Sequence, residues 1–273
     1  MVDFRQDRLW GEYLKKRGWQ YDYVRSYDGR HKIQVIVVKI GFWPWTLLKV
    51  QRGMNDPDFE DLKRIKKKYH VIQTVIEPLK IEDTKRFAKA GFKLARMPFL
   101  ATKTVVNDLN KSKEDMWLEL SENAKRLIKK NEALKIERVG WKDFFNQWKK
   151  WSKVWTLSER ELNQLQETFK NNCQFWVIGD DKGWHSALLS LTTKDVFNYY
   201  QTFTTDLGRK SGAHYRLVWE TMLWAKDKGY KHYDFEGIFD SAYPIKKWQG
   251  FTEFKKKFGG RVITHPGSWV KWF

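Results

Sequence analysis

The chain has 273 residues, enough for one large domain or two small ones with real hydrophobic cores. Hydrophobic residues make up 41% and aromatic residues 16%, which excludes a disordered chain. Fifty-two Lys and Arg against 33 Asp and Glu leave a formal net charge of +19, an excess that points to a polyanionic partner such as nucleic acid, anionic lipid or a phosphorylated metabolite.

The first residues, Met1 to Arg8, carry no apolar signal core. Arg8 to Lys16 is predicted to be a helix that presents Trp10, Tyr13 and Leu14 on one face and stops at Gly18. Tyr21–Ser26 and Lys32–Lys39 read as a hairpin turning through Asp28-Gly29, with a further strand over Thr46–Gln51. The aromatic loop Phe42-Trp43-Pro44-Trp45 suits contact with lipid headgroups or packing on its own domain. The apolar stretch around Val35 to Trp45 falls well short of the ~20 residues of a spanning helix. Pro57 to Tyr69 is a predicted helix with Pro57 in its first turn, Val71 to Ile76 a strand, and Glu82 to Ala90 a short helix closed by Gly91. Thr104–Asp108 is a strand, and Ser112 begins one long helix bearing a basic stripe of Lys125, Arg126, Lys129 and Lys130. Lys135–Val139 is a strand, and Ser158 with Glu161 opens a helix running to about Lys170. Phe175–Ile178, His185–Leu191 and Val196–Phe203 are successive strands, followed by helix Ala213–Lys228 and strand His232–Phe235. The expected fold is mixed α/β, with two units over 1–100 and 101–273 and about the last 20 residues packing back on the first.

The single cysteine, Cys173, excludes an internal disulfide and a cysteine zinc cluster, and its strand-like setting marks a buried structural thiol. The six histidines are scattered without ligand spacing, and no nucleophile elbow, Walker loop or zinc-protease motif occurs. Asp234 and Glu236 are read as facing opposite sides of their strand, and so not as an acid/base couple. Residues 204–212, read as a loop, offer Arg209, Lys210 and helix-start N–H groups as a phosphate cradle. Arg209-x-x-Gly212-x-His214 matches the coenzyme A loop of N-acetyltransferases at all but its last position, where His214 adds bulk. Near the C-terminus, Phe254-Lys255-Lys256-Lys257-Phe258-Gly259-Gly260 sets a lysine between aromatic rings before a glycine turn, a means of meeting negative charge.

The order of several short segments resembles the Fem family of aminoacyl-tRNA-dependent peptidoglycan bridge transferases, built from two acetyltransferase-like (GNAT) domains. The matching pieces are Gln6-x-x-x-Trp10-Gly11 with Lys15, Lys16 and Trp19; Arg52-Gly53; Ile76-Glu77-Pro78; and Thr104 to Leu109 followed by the basic helix. After these come Ala213-x-Tyr215, Trp219-Glu220, Tyr233-Asp234-Phe235, Gly237-Ile238 and Phe254-Lys255-x-x-Phe258-Gly259-Gly260.

The resemblance implies transfer of an amino acid from aminoacyl-tRNA to an amine on the stem peptide of a lipid- or UDP-linked muropeptide precursor. It implies no metal or cofactor, and a cytoplasmic protein with peripheral contact at the inner membrane face. It assigns Lys255 the electrostatic role at the reacting ester, with Phe254 its aromatic neighbour. Tyr200, Tyr215 and Asp234 fall on the substrate side, Lys15 or Lys16 on the precursor's phosphates, and Arg126, Lys129, Arg209 and Lys210 on tRNA phosphates. The chain departs from the family at Leu157, where some members use a phosphate-binding arginine and Arg160 is the nearest substitute. It departs again at Glu236, where glycine is usual, and it lacks the helical coiled-coil arm. Rival readings are a coenzyme A-dependent N-acyltransferase on the same fold and a non-catalytic RNA- or membrane-binding protein.

Overall fold

The computed structural model describes residues 1–54, 56–80, 84–152 and 156–273. In chain order the first elements are α1 (Arg8–Lys16), β1 (Gln20–Arg25), β2 (Lys32–Lys39), β3 (Thr46–Gln51), α2 (Phe59–Tyr69), β4 (Val71–Glu77), α3 (Thr84–Lys89) and β5 (Lys93–Leu94). Next come β6 (Lys103–Asp108), α4 (Lys113–Leu118), α5 (Glu122–Lys130), β7 (Lys135–Arg138), α6 (Trp141–Trp151), α7 (Glu159–Phe169), β8 (Cys173–Asp180), β9 (Gly183–Thr192) and β10 (Val196–Thr204). The chain closes with α8 (Asp206–Ser211), α9 (His214–Asp227), β11 (His232–Gly237), α10 (Gln249–Lys256), β12 (Arg261–Thr264) and β13 (Trp269–Trp272). Two compact units result, one of residues 2–103, 239–245 and 264–273, the other essentially of 104–238 and 246–263.

The N-terminal unit is built on a six-stranded sheet of order β1-β2-β3-β4-β13-β5. Alternation along β2 sorts its two faces. Ile33, Val35 and Val37 join Leu62 and Ile65 of α2 and Phe87 of α3 in one core. Gln34 points the other way, and its amide donates to the Arg5 and Asp7 carbonyls beside α1. Two expectations need correcting here. Asp58, not Pro57, starts α2: its carboxylate accepts from Glu60 N–H, while Pro57 bridges back to Ser26. The expected start at Glu82 lies outside the described residues, and α3 begins at Thr84.

The C-terminal unit is built on a seven-stranded sheet of order β12-β6-β11-β10-β9-β8-β7. Ile178, Leu188 and Phe197 pack on α5 and α9 on one side. On the other, Phe144 of α6 meets the rings of Phe175 and Phe203. The expected long helix from Ser112 is broken in two. Ser121 stops it, giving its N–H to the Lys257 carbonyl and capping Ala124 N–H with its hydroxyl, so the basic stripe belongs to α5 alone. The Ser158–Glu161 capping box is present and opens α7. Cys173 is buried, and burial pushes its thiol pKa up.

Candidate active site

β10 and β11 run parallel, but their ladder holds for three pairs only: Val196↔His232, Phe197↔Tyr233 and Asn198↔Asp234. Beyond it both strands lose register. β10 bulges between Tyr199 and Gln201 against β9, and β11 is irregular between Asp234 and Gly237 against β6. The extra residue flips the side-chain alternation of β10. Phe197 and Tyr199 therefore join the core under α9, while Phe203 faces α6. The ladder between the two strands therefore ends after Asn198 and Asp234.

Lys255, in the last turn of α10, reaches both strands beyond the end of that ladder. It is 8% exposed; its ammonium donates to the Gly237 carbonyl at 2.6 Å and lies 5.6 Å from the centre of the Tyr199 ring. Burial pushes its pKa down to about 8, while the carboxylates of Glu236 and Asp234 pull it back up. Both acids thus act on one ammonium, which corrects the expectation that they face apart. Residues two apart on a strand share a side, and here Glu236 also turns into the left-handed region (φ 58°). A glycine takes that conformation without penalty, whereas Glu236 holds it as a non-glycine residue. Asp234 is held by the Thr104 hydroxyl and by Glu236 N–H at 2.8 Å.

An aromatic wall surrounds the lysine. Phe254 meets Tyr215 at 4.8 Å, Phe258 at 5.3 Å and His214 at 5.1 Å between ring centres. Phe258 stacks in turn on Tyr215 and packs against Phe235. The turn after α10 is pinned by Asn107, whose amide donates to the Phe258 carbonyl at 2.7 Å.

Behind this wall sits a relay whose proton positions can be deduced. The Ser186 hydroxyl donates to the Phe203 carbonyl at 2.8 Å, so toward His214 it can only accept. His214 Nδ1–H therefore donates to Ser186 at 2.6 Å, and its Nε2 accepts from the Tyr199 hydroxyl at 2.5 Å. Burial pushes His214 down to about 3, so the ring is neutral at physiological pH.

Of the expected site residues, Lys255, Phe254, Tyr215 and Asp234 come together here. Tyr200 lies in the bulge, partly buried, and it is its neighbour Tyr199 that reaches Lys255. Sequence alternation could not place a bulge, so Tyr199 and the His214 relay went unread. Residues 204–212 are not a loop but largely helix α8, which overturns the phosphate cradle drawn there. Their N–H groups serve internal bonds: Gly208 N–H to the Thr205 hydroxyl, Arg209 N–H to the Thr205 carbonyl and Gly212 N–H to the Gly208 carbonyl. Arg209 is tied to Asp206 and the Thr204 carbonyl. Lys210 shares its last turn. On α5, Arg126 donates to Asn123, and Lys129 lies 5.9 Å from the Trp117 ring centre. Arg160 is exposed in the first turn of α7. Lys15 and Lys16 are exposed in the last turn of α1, in the N-terminal unit.

A mixed sheet whose parallel pair ends early, a helix-borne lysine beside that end and a second α/β unit make up a tandem GNAT-like fold. Residues 146–272 match the FemAB family. The FemX crystal structure is similar over 99% of this chain and 92% of its own, with a TM-score of 0.84 at 14% identity. A tandem GNAT protein from the clavulanic acid biosynthesis pathway is similar over 93% of this chain and 83% of its own, with a TM-score of 0.60 at 10% identity. L-PGS from Bacillus licheniformis is similar over 95% of this chain and 86% of its own, with a TM-score of 0.57 at 12% identity. No curated protein matches the chain in sequence. The resemblance to the Fem family thus holds in sequence over residues 146–272 and in fold over nearly the whole chain.

Proposed function

We propose that the protein is an aminoacyltransferase that moves an amino acid from aminoacyl-tRNA to the stem-peptide amine of a lipid- or UDP-linked peptidoglycan precursor, acting in the cytoplasm. The FemAB match over the segment that holds Lys255 supports the class. The observation that carries the reading is the Lys255 ammonium, desolvated between the Gly237 carbonyl and the Tyr199 ring yet held toward its charged form by two carboxylates.

The chemistry asks for little else. An aminoacyl ester is already activated, so the site must align amine and carbonyl and meet the charge that develops. The amine lone pair forms the new C–N bond and pushes negative charge onto the carbonyl oxygen. Collapse breaks the C–O bond, and the ribose oxygen leaves with a proton. Lys255 stabilises the oxyanion and donates that proton, then recovers one from the attacking nitrogen, so the enzyme ends as it began. A lysine shifted to about 8 is a better proton donor near neutrality than an ordinary one. In this reading the acceptor's phosphates fall to Lys15 or Lys16, exposed in the last turn of α1.

The coenzyme A alternative is disfavoured by the internally bonded N–H groups of α8, which leave no free cradle for a pyrophosphate there. The test offers purified protein a charged tRNA and a soluble nucleotide-linked muropeptide. Amide product and free tRNA are expected, and Lys255→Met should lower kcat by about 10²–10³-fold with tRNA affinity unchanged. Turnover with acyl-coenzyme A alone would overturn the reading.

A further inference from the structure

One end of the N-terminal sheet gathers cations and exposed rings from four segments. β2 and β3 turn there through 40–45, pairing Lys39 with Thr46. β3 and β4 run parallel, which brings Val71 beside Thr46, and β13 reaches the same end with Trp272 opposite Gln73. α1 leads into β1 and α2 into β4, so both helices finish there as well. Segments 15–20, 39–46, 66–73 and 271–273 together hold eight Lys or Arg and not one Asp or Glu.

The rings at this end are unusually bare. Phe42 is 109% exposed, Trp43 64% and Trp272 67%, with Trp45 and Phe273 also exposed. They stand on ordered backbone: Ile40 N–H donates to the Trp45 carbonyl, Trp43 N–H to the Ile40 carbonyl, and the Trp43 and Trp45 rings stack at 5.3 Å around Pro44. Lys66 lies 3.8 Å from the centre of the Phe273 ring, joining the aromatic and cationic parts. The acid nearest by pairing, Asp22, is held by Lys68 and Tyr69.

We infer that this end docks peripherally on an anionic bilayer. The rings of Phe42, Trp43 and Trp45 enter the boundary between headgroups and acyl chains, as interfacial aromatics do. The lysines at the end of α2, Lys66, Lys67 and Lys68, meet lipid phosphates within a Debye length of the surface. Among the described residues no helix is long and apolar enough to cross a membrane, so the contact is a surface one. RNA would also answer the charge. It stacks bases on open ring faces along a groove, whereas Trp43 and Trp45 cover each other's inner faces on a turn and the cations are almost all lysine.

The full chain should co-sediment with vesicles containing one part phosphatidylglycerol to two parts phosphatidylcholine, and about tenfold less with phosphatidylcholine alone. Phe42→Ser and Lys67→Glu, both at exposed positions, should each weaken binding to anionic vesicles by about tenfold with unchanged thermal melting. Three outcomes overturn the inference: no binding to anionic vesicles, both variants binding like wild type, or Phe42→Ser losing tRNA affinity while keeping vesicle binding. Transfer to a soluble nucleotide-linked acceptor needs no membrane, so the aminoacyl-transfer reading stands or falls separately.

Discussion

Lys255 is a site residue held at a cost to stability. Removing an ammonium from water is unfavourable, and the two neighbouring carboxylates repay only part of it. Its pKa is about 8 in the folded chain against an unfolded value of 10.5. Between those values the unfolded state binds more protons, so stability rises with pH there; below about 8 the full penalty is present. Lys255→Met removes the titrating group and leaves the Gly237 carbonyl unpaired at every pH. The stability of this variant relative to wild type should therefore fall by a few kcal/mol as pH is raised from 7 to above 10. Urea unfolding of both proteins at the two pH values measures this. A difference that stays constant would show that Lys255 is solvated, and the electrostatic account of the site would go with it. Glu236 belongs to the same compromise, since a left-handed non-glycine residue costs of order 1 kcal/mol and here brings a carboxylate toward the ammonium.

At the scale of elements, what was legible was local. Helix Arg8–Lys16 and strands Lys32–Lys39 and Thr46–Gln51 fall where periodicity and turn residues put them, because those signals lie within the segment itself. The break at Ser121 was not legible, because its cause is a carbonyl at Lys257, far along the chain. β13 was missed for the same reason, as its partners β4 and β5 are remote in sequence. Within the candidate site, Lys255 and Phe254 were named as candidates through an ordered set of motifs, whereas Tyr199 was hidden by a bulge that reverses alternation. Gly208 falls within residues 204–212, the segment read as a phosphate-cradling loop. It looks like a loop glycine near a phosphate, yet it lies inside α8, where an added Cβ would sit 1.8 Å from the His185 carbonyl oxygen. Gly208→Ala must push α8 off β9 and should cost at least 1–3 kcal/mol, lowering the melting temperature by about 4–10 °C. An unchanged melting temperature with altered phosphate binding would restore the cradle that the helix excludes.

For the whole molecule, the formal charge of +19 sets a further requirement on the proposed transfer reaction. A surplus that served solubility alone would leave association with tRNA indifferent to any one basic side chain. A surplus that meets tRNA phosphates releases counterions, and log affinity then falls linearly with log salt in proportion to the number of phosphates neutralised. The α5 stripe is the feature to probe, since Arg126 is bonded only locally to Asn123 among its resolved hydrogen bonds, and its helix packs on α9 through Ala124 and Ile128 on the opposite side. With about five phosphate contacts, raising salt from 50 to 200 mM should weaken tRNA binding by about 10²-fold or more. Arg126→Ala should make the salt slope shallower by about 0.7–0.9 while leaving the melting temperature unchanged. Fluorescence anisotropy with labelled tRNA across a salt series reads both quantities. A slope near zero in the wild type, or the same slope in the variant, would remove tRNA from this helix and leave its lysines and arginine as a solvated face.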